Sequence, residues 1–196
     1  MAPRTKEQFE ILREERKEQI IKAAFEVFAQ KGYHNSSVAQ VAKKAKISKG
    51  LMYNYFDGKE DLLRAIIHQI NEEIAREFDF SNQKPLTDKA VLEWIDKSFD
   101  IVVQNPARWK FYISLSMQPD VMPIFMEVAQ ESIKTFFIRF IQYFTEKGVE
   151  NPQLWVRYIS AIIDGLQMHI LMDPNSFPIQ EIKPLIKQYI LSKNNK

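Results

Sequence analysis

Cysteine is absent from the 196 residues. That gap removes disulfides, thiolate nucleophiles and cysteine metal sites together, and it fits a reducing compartment. Glycine is scarce, five in all, and scattered, so no glycine-rich loop is present to cradle a phosphate. The three histidines, His34, His68 and His169, lie far apart and form no H-x-x-H or H-E-x-x-H pair; G-x-S-x-G is also missing. No catalytic residue, metal site or cofactor is expected. No apolar run approaches the roughly 20 residues that span a bilayer. The first residues, MAPRTKEQFEILREERKEQ, lack the apolar stretch of a signal peptide. A soluble cytoplasmic protein without a membrane partner follows. Alternating strand patterns, internal repeats and low-complexity tracts are missing too, which leaves an all-α fold.

What is present begins with a core. Hydrophobic residues make up 45% of the chain and aromatic residues 12%, which argues against wholesale disorder. The net charge of +2 conceals an asymmetry. Residues 1–60 carry 12 Lys and Arg against 8 Asp and Glu, whereas the remainder carries 15 against 17. Lys43, Lys44, Lys46, Lys49 and Lys59 crowd one stretch with only Asp57 opposing them. Such a patch attracts phosphate irrespective of base sequence.

That stretch, residues 36–56, reads SSVAQVAKKAKISKGLMYNYF. Val38, Val41, Ala42 and Ala45 recur at i, i+3, i+4, i+7, giving one helix an apolar face. Ser37 and Gln40 make a capping box that fixes its start. Lys46-Ile47-Ser48 is the turn, with Ile47 as a plug and Ser48 as the next N-cap. Met52 and Phe56 suffice to hold the second helix to its partner. Lys49, Gly50, Leu51, Tyr53, Asn54 and Tyr55 are then left facing outward. DNA asks for these types: a cation for phosphate, a glycine for close approach, an apolar contact for thymine methyl, and hydroxyl and amide groups. The pattern is a helix-turn-helix with an exposed recognition helix, and double-stranded DNA is its expected partner.

Residues 1–10, with Arg4 and Lys6, read as a loose arm. A first helix over Glu10–Lys31 follows, with Ile21, Ala24, Phe25 and Phe28 on its inner stripe and Gly32 as its stop. Asp57 and Gly58 break the chain, and Lys59 falls in the first turn of a fourth helix, where a phosphate would sit. This helix carries Leu63, Ile66, Ile67, Ile70 and Ile74 towards Phe78, long enough to act as a lever. A linker covers residues 81–85. Helices are expected at about 87–104, 106–117, 121–147, 152–172 and 178–192, with prolines near the breaks. The predicted organisation is a DNA-binding domain over 1–58 and a helical ligand-binding and dimerisation domain over 59–196.

The second domain is rich in rings and methionines beyond what a small bundle needs. Candidates for lining a ligand cavity are Trp94, Trp109, Tyr112, Met117, Met122, Phe125, Phe137, Phe140, Met168 and His169. The last two helices carry apolar arcs broad enough to join a second copy. Trp155, Ile159, Ile162, Ile163, Leu166, Ile182, Ile186 and Tyr189 are the candidates for that contact. A dimer doubles the site that one short recognition helix reads.

From Ile21 to Leu63, IKAAFEVFAQKGYHNSSVAQVAKKAKISKGLMYNYFDGKEDLL resembles the N-terminal domain of the tetracycline-repressor (TetR) family. The G-Y loop, the S-S-V start, S-K-G, the Tyr-x-Tyr-Phe ending and K-E-D-L carry the likeness. Ile162-Ile163-Asp164-Gly165-Leu166 is similar to a stretch of the family's penultimate helix. The resemblance implies an all-helical homodimer of about nine helices, joined through its last two long helices. It implies a repressor on a palindromic operator, released when a small effector enters the C-terminal domain. Ser37, Ser48, Lys49, Gly50, Tyr53, Asn54, Tyr55 and Lys59 match positions that commonly touch DNA. Lys49, Tyr53 and Lys59 are assigned to phosphate, and Gly50, Leu51 and Asn54 to base edges. Lys46 departs from the family's usual glycine, and a left-handed turn there costs on the order of 1 kcal/mol. Gly58 replaces a frequent serine cap, a loss of roughly a few tenths of that. The rival readings are a helical carrier of hydrophobic ligands that never touches DNA, and a transcriptional activator of the same fold. A carrier leaves the exposed Lys49-to-Tyr55 segment unexplained.

Overall fold

A computed structural model describes residues 6–78 and 84–192. Among them run α1 (Lys6–Lys31), α2 (Val38–Lys44), α3 (Lys49–Met52), α4 (Lys59–Glu77), α5 (Asp88–Gln104), α6 (Pro106–Ser116), α7 (Met122–Glu146), α8 (Pro152–Met172) and α9 (Ile179–Ser192). No strand occurs among the described residues. Arg4 and most of the expected linker, residues 81–83, lie outside them. Two compact units form, one of residues up to Ile70 with Pro123–Val128, the other of Asn71–Met122 and residues from Ala129 on. The division falls inside α4 and not before its start. Leu62, Leu63, Ile66, Ile67 and Ile70 explain this, since all five are buried on the half of α4 that counts with the first unit. The opening of α7 counts with it too, so α4 is not the only helix with residues in both units.

In the first unit, α1 begins at Lys6 and not near Glu10. Residues 6–19 are nearly all good helix formers and bury nothing, so propensity carries this part of the helix. Burial starts at Ile20 and continues through Ala23, Ala24, Val27 and Phe28. Gly32, at φ +78°, ends the helix. The capping box of α2 is formed in both directions. The Gln40 amide donates to Ser37 Oγ at 3.3 Å, and the Ser37 amide donates to Gln40 Oε1 at 3.1 Å. Val41 and Ala42 bury the face the spacing foretold.

At the end of α2, Lys46 adopts φ +57°, and the Ile47 amide reaches back to the Ala42 carbonyl at 3.0 Å. That is a Schellman closure with lysine where glycine fits without strain. Lys46→Gly is therefore expected to stabilise the first unit by about 0.5–1 kcal/mol, part of the relief being offset by glycine's greater freedom when unfolded. Chemical denaturation of the two proteins checks this; equal or lower stability in the variant would contradict it.

Gly58 costs less than its lack of a side chain suggests. Asp61 reaches back from the first turn of α4, its Oδ2 accepting the Asp57 amide at 3.0 Å. Glu60 and Asp61 also place negative charge at the positive end of the helix. In the same unit Arg64 donates to Glu60 and to Glu127 of α7, both at 3.0 Å. The guanidinium's hydrogen bonds hold the Glu127 carboxyl below its ordinary range.

In the second unit, α5 buries Val91, Ile95, Phe99 and Val102 at helical spacing and packs on α8 and α9. Ile159, Ile163, Ile186 and Ile190 meet them in one core with Phe140, Tyr143 and Phe144. Two ion pairs fix the register of α5 against α9. Lys187 meets Asp96 at 2.5 Å, and buried Lys183 meets Asp100, each pair four residues from the other on both helices. Thr87 caps α5, while Pro106 and Pro152 open α6 and α8 where a missing amide costs nothing. These stops explain why the five expected C-terminal helices agree with the observed ones to within a residue. Pro184 is the exception to proline at breaks, sitting inside α9.

Candidate nucleic-acid interface

The start of the recognition segment is fixed by Ser48, whose Oγ accepts the Leu51 amide at 3.0 Å. Met52, fully buried, and Phe56, nearly so, anchor it from below. The segment is shorter as a helix than expected. Regular α3 covers four residues, and Tyr53, Asn54 and Tyr55 follow in hydrogen-bonded turns onto Leu51 and Met52. Lys49, Gly50, Leu51, Tyr53 and Asn54 are exposed, and Tyr55 is half-buried. A Cβ on Gly50 would meet nothing closer than Ser48 Oγ at 4.0 Å. Folding thus does not require glycine in this helix, where it costs up to about 1 kcal/mol against alanine. The Ser37 hydroxyl sits at the start of α2 and is engaged in its cap.

Two lysines of the basic stretch have internal partners. The Lys59 ammonium donates to the carbonyls of Tyr33 at 3.0 Å and His34 at 3.2 Å, and lies 4.4 Å from the Tyr33 ring centroid. It braces the loop between α1 and α2. The Lys44 ammonium meets Glu26 of α1 at 2.6 Å, and its hydrogen bond holds that carboxyl below the usual range. Lys43, Lys46 and Lys49 remain exposed in the basic patch. Arg13, which sequence reasoning passed over, brings its guanidinium to 5.8 Å from the Tyr55 ring centroid.

The ten expected pocket residues occupy different environments. In the second unit, Trp94 and Phe140 pack at 4.8 Å and share a cleft of about 320 Å³ with Phe78, Lys84, Lys97 and Arg139. Phe137 packs edge-on to Phe136 beside them. Tyr112 is buried, donates to Asn71 Oδ1 at 2.9 Å and is met edge-on by Trp109. Burial pushes its phenol up. Met117, Met122 and Met168 are exposed, and exposed His169 stacks on Phe177, so these four stand apart from the cleft that Trp94 and Phe140 share. Phe125 counts with the first unit.

The residues expected to form the contact surface on α8 and α9 divide between core and surface. Ile159, Ile163 and Ile186 are buried within the chain's own core, and Trp155, Leu166 and Ile182 pack partly against it. The outward face is instead Leu154, Tyr158, Ala161, Gly165, Met168 and Met172, spaced four and three apart along α8. Leu185 and Tyr189 are the exposed counterparts on α9. Tyr158, Tyr189 and Trp155 form one ring cluster, and a groove of about 230 Å³ beside it is lined in part by Ile162. The apolar arc of α8 is wide enough that periodicity marks both faces alike.

Together the capped turn and the outward basic segment define an all-helical protein with an N-terminal helix-turn-helix of the DNA-binding kind. Residues 20–66 match the N-terminal sequence model of the tetR family of bacterial regulatory proteins. It is 39% identical over 70 residues to the HTH-type transcriptional regulator HbdR of Aromatoleum sp. (strain CIB), a match that takes in 34% of this chain and 31% of that protein. The chain thus spans about a third of HbdR's length. A longer likeness, 24% identity over 183 residues and 89% of each chain, runs to the HTH-type transcriptional regulator BetI of Cronobacter sakazakii. The fold is also that of the transcriptional regulator FadR from Bacillus subtilis, solved in complex with stearoyl-CoA. There the TM-score is 0.69 at 19% identity, over 89% of this chain and 97% of that one. Among the described residues, no helix is long and apolar enough to cross a membrane.

Proposed function

We propose that this chain is a cytoplasmic, non-enzymatic transcriptional repressor. It reads an inverted-repeat operator as a homodimer and releases it when a small, largely apolar molecule occupies the second unit. The observation that carries the reading is the outward Lys49-to-Tyr55 segment, which follows two formed serine caps and includes a glycine that folding does not need. In this reading Lys49 and Tyr53 take phosphate, and Gly50, Leu51 and Asn54 face base edges, with Ser37, Ser48 and Tyr55 at the margin.

The homodimer is supported by the exposed apolar row on α8 and by Leu185 and Tyr189 on α9. Ala161 and Gly165 in that row let two helices approach closely. The effector is supported by the aromatic cleft of α5 and α7, whose volume falls in the usual range for small-molecule sites. A relative of the same fold is known with stearoyl-CoA bound. Release requires that the effector bind the DNA-free state better than the DNA-bound one. Helices α4 and α7, with residues in both units, are the elements through which that preference reaches the recognition segment.

Selection of bound sites from a random duplex library at about physiological ionic strength tests this, since phosphate contacts weaken with salt. An enriched inverted repeat is expected, its spacing giving the separation of two recognition segments. Absence of enrichment, with binding that salt abolishes equally on all duplexes, would count against a sequence-reading regulator.

A further inference from the structure

The N-terminal half of α1 has no evident place in the fold. Residues 6–19 bury nothing, and only Lys17 is even half-buried. Yet one face of this extension is not arbitrary. Arg13 precedes fully buried Ile20 by seven residues, close to two helical turns, and so lies on the stripe that continues through Ile20, Ala24 and Val27. That stripe is the one the rest of the unit covers. Beyond the core it carries Arg13 to the end of the recognition segment, with its guanidinium 5.8 Å from the ring centroid of Tyr55. Among the described residues no carboxylate pairs with Arg13. Glu10 and Lys17, one turn to either side on the same stripe, leave no basic tract, so a single contact is in question.

We propose that Arg13 anchors the DNA backbone: its guanidinium, held beside Tyr55, takes a phosphate flanking the bases that the recognition segment reads. A ring contact steadies a long side chain, and a planar guanidinium presents paired donors that match two phosphate oxygens. Lys46 and Lys49 stand at the start of the recognition segment, and Arg13 adds a cation at its other end. The position lies upstream of the family match, residues 20–66, so this contact would be particular to chains with such an extension. The inference rests on the DNA-binding reading above.

The test is a salt series of fluorescence anisotropy titrations on the full chain, with the selected duplex and with a mixed-sequence duplex. Arg13→Gln is expected to weaken both by a similar factor, about fivefold or more at low salt, because a phosphate contact carries no base information. The slope of log affinity against log salt should fall by about 0.9 for each Arg13 in contact, hence about 1.8 for a dimer. Arg13→Lys should restore the slope but only part of the affinity, since the fork is lost. An unchanged slope overturns the proposal, and so does a loss confined to the selected duplex, which would make Arg13 a positioning residue for Tyr55. A wild-type chain that binds neither duplex would remove the DNA-binding reading itself, and this inference with it.

Discussion

Alanine at both Lys49 and Tyr53 should lower operator affinity roughly a thousandfold while leaving the fold intact. The magnitude follows from four lost contacts in a two-subunit complex, each worth about 1 kcal/mol or more, with about 1.4 kcal/mol to a factor of ten. Both side chains are exposed and, among the described residues, make no hydrogen bond or ion pair, so the cost to folding stays within about 0.5 kcal/mol. Gel-shift titration reads the first quantity and thermal unfolding the second. A double variant that held the selected duplex as tightly as the wild type would place the DNA-binding surface elsewhere. A fall in both affinity and unfolding temperature would mean the residues support α3 and do not read DNA.

Glutamate at Leu154 and Leu185 should convert the proposed dimer into monomers. These side chains are 65% and 64% exposed in the single chain, so the substitutions disturb little of its own packing. Across a two-fold axis, however, each brings like charges onto an apolar surface, which costs several kcal/mol. Sedimentation velocity at micromolar concentration should show one species of half the wild-type mass. Operator affinity should fall about a hundredfold or more, because each half-site then binds without the benefit of its neighbour. A variant that still sediments as a dimer would rule out this face. Ile159→Glu and Ile163→Glu are the contrasting pair, since they sit in the core and would unfold the second unit.

Local rules made the first unit legible. Serine caps, a three-residue turn and an i, i+3, i+4 stripe act within a few residues, and Ser37, Gln40, Ser48 and Met52 stand where those rules put them. The limits of the C-terminal helices were equally readable, because proline and glycine stop helices whatever the rest of the chain does. Choices decided by long-range packing were not. The internal contacts of Lys59 are an example: its ammonium meets the carbonyls of Tyr33 and His34, 26 and 25 residues earlier. The sequence of α8 offers apolar residues around most of its girth, and only the placement of α5 decides that Ile159 and Ile163 turn inward. Arg13 escaped notice because nothing local marks it. Its spacing from Ile20 was the available signal, and it becomes informative once the helix is known to start at Lys6.

The split of the first unit between residues up to Ile70 and the segment Pro123–Val128 bears on how such proteins are recombined. A hybrid regulator assembled by joining this N-terminal stretch to a foreign effector domain would inherit α4 without the short piece of α7 that belongs with it. Arg64 would keep Glu60 but lose Glu127, and the foreign helix would present some other side chain there. Compatible exchanges are therefore those in which the donor supplies an acid at the position of Glu127, or in which the opening of α7 travels with the DNA-binding unit as a second graft.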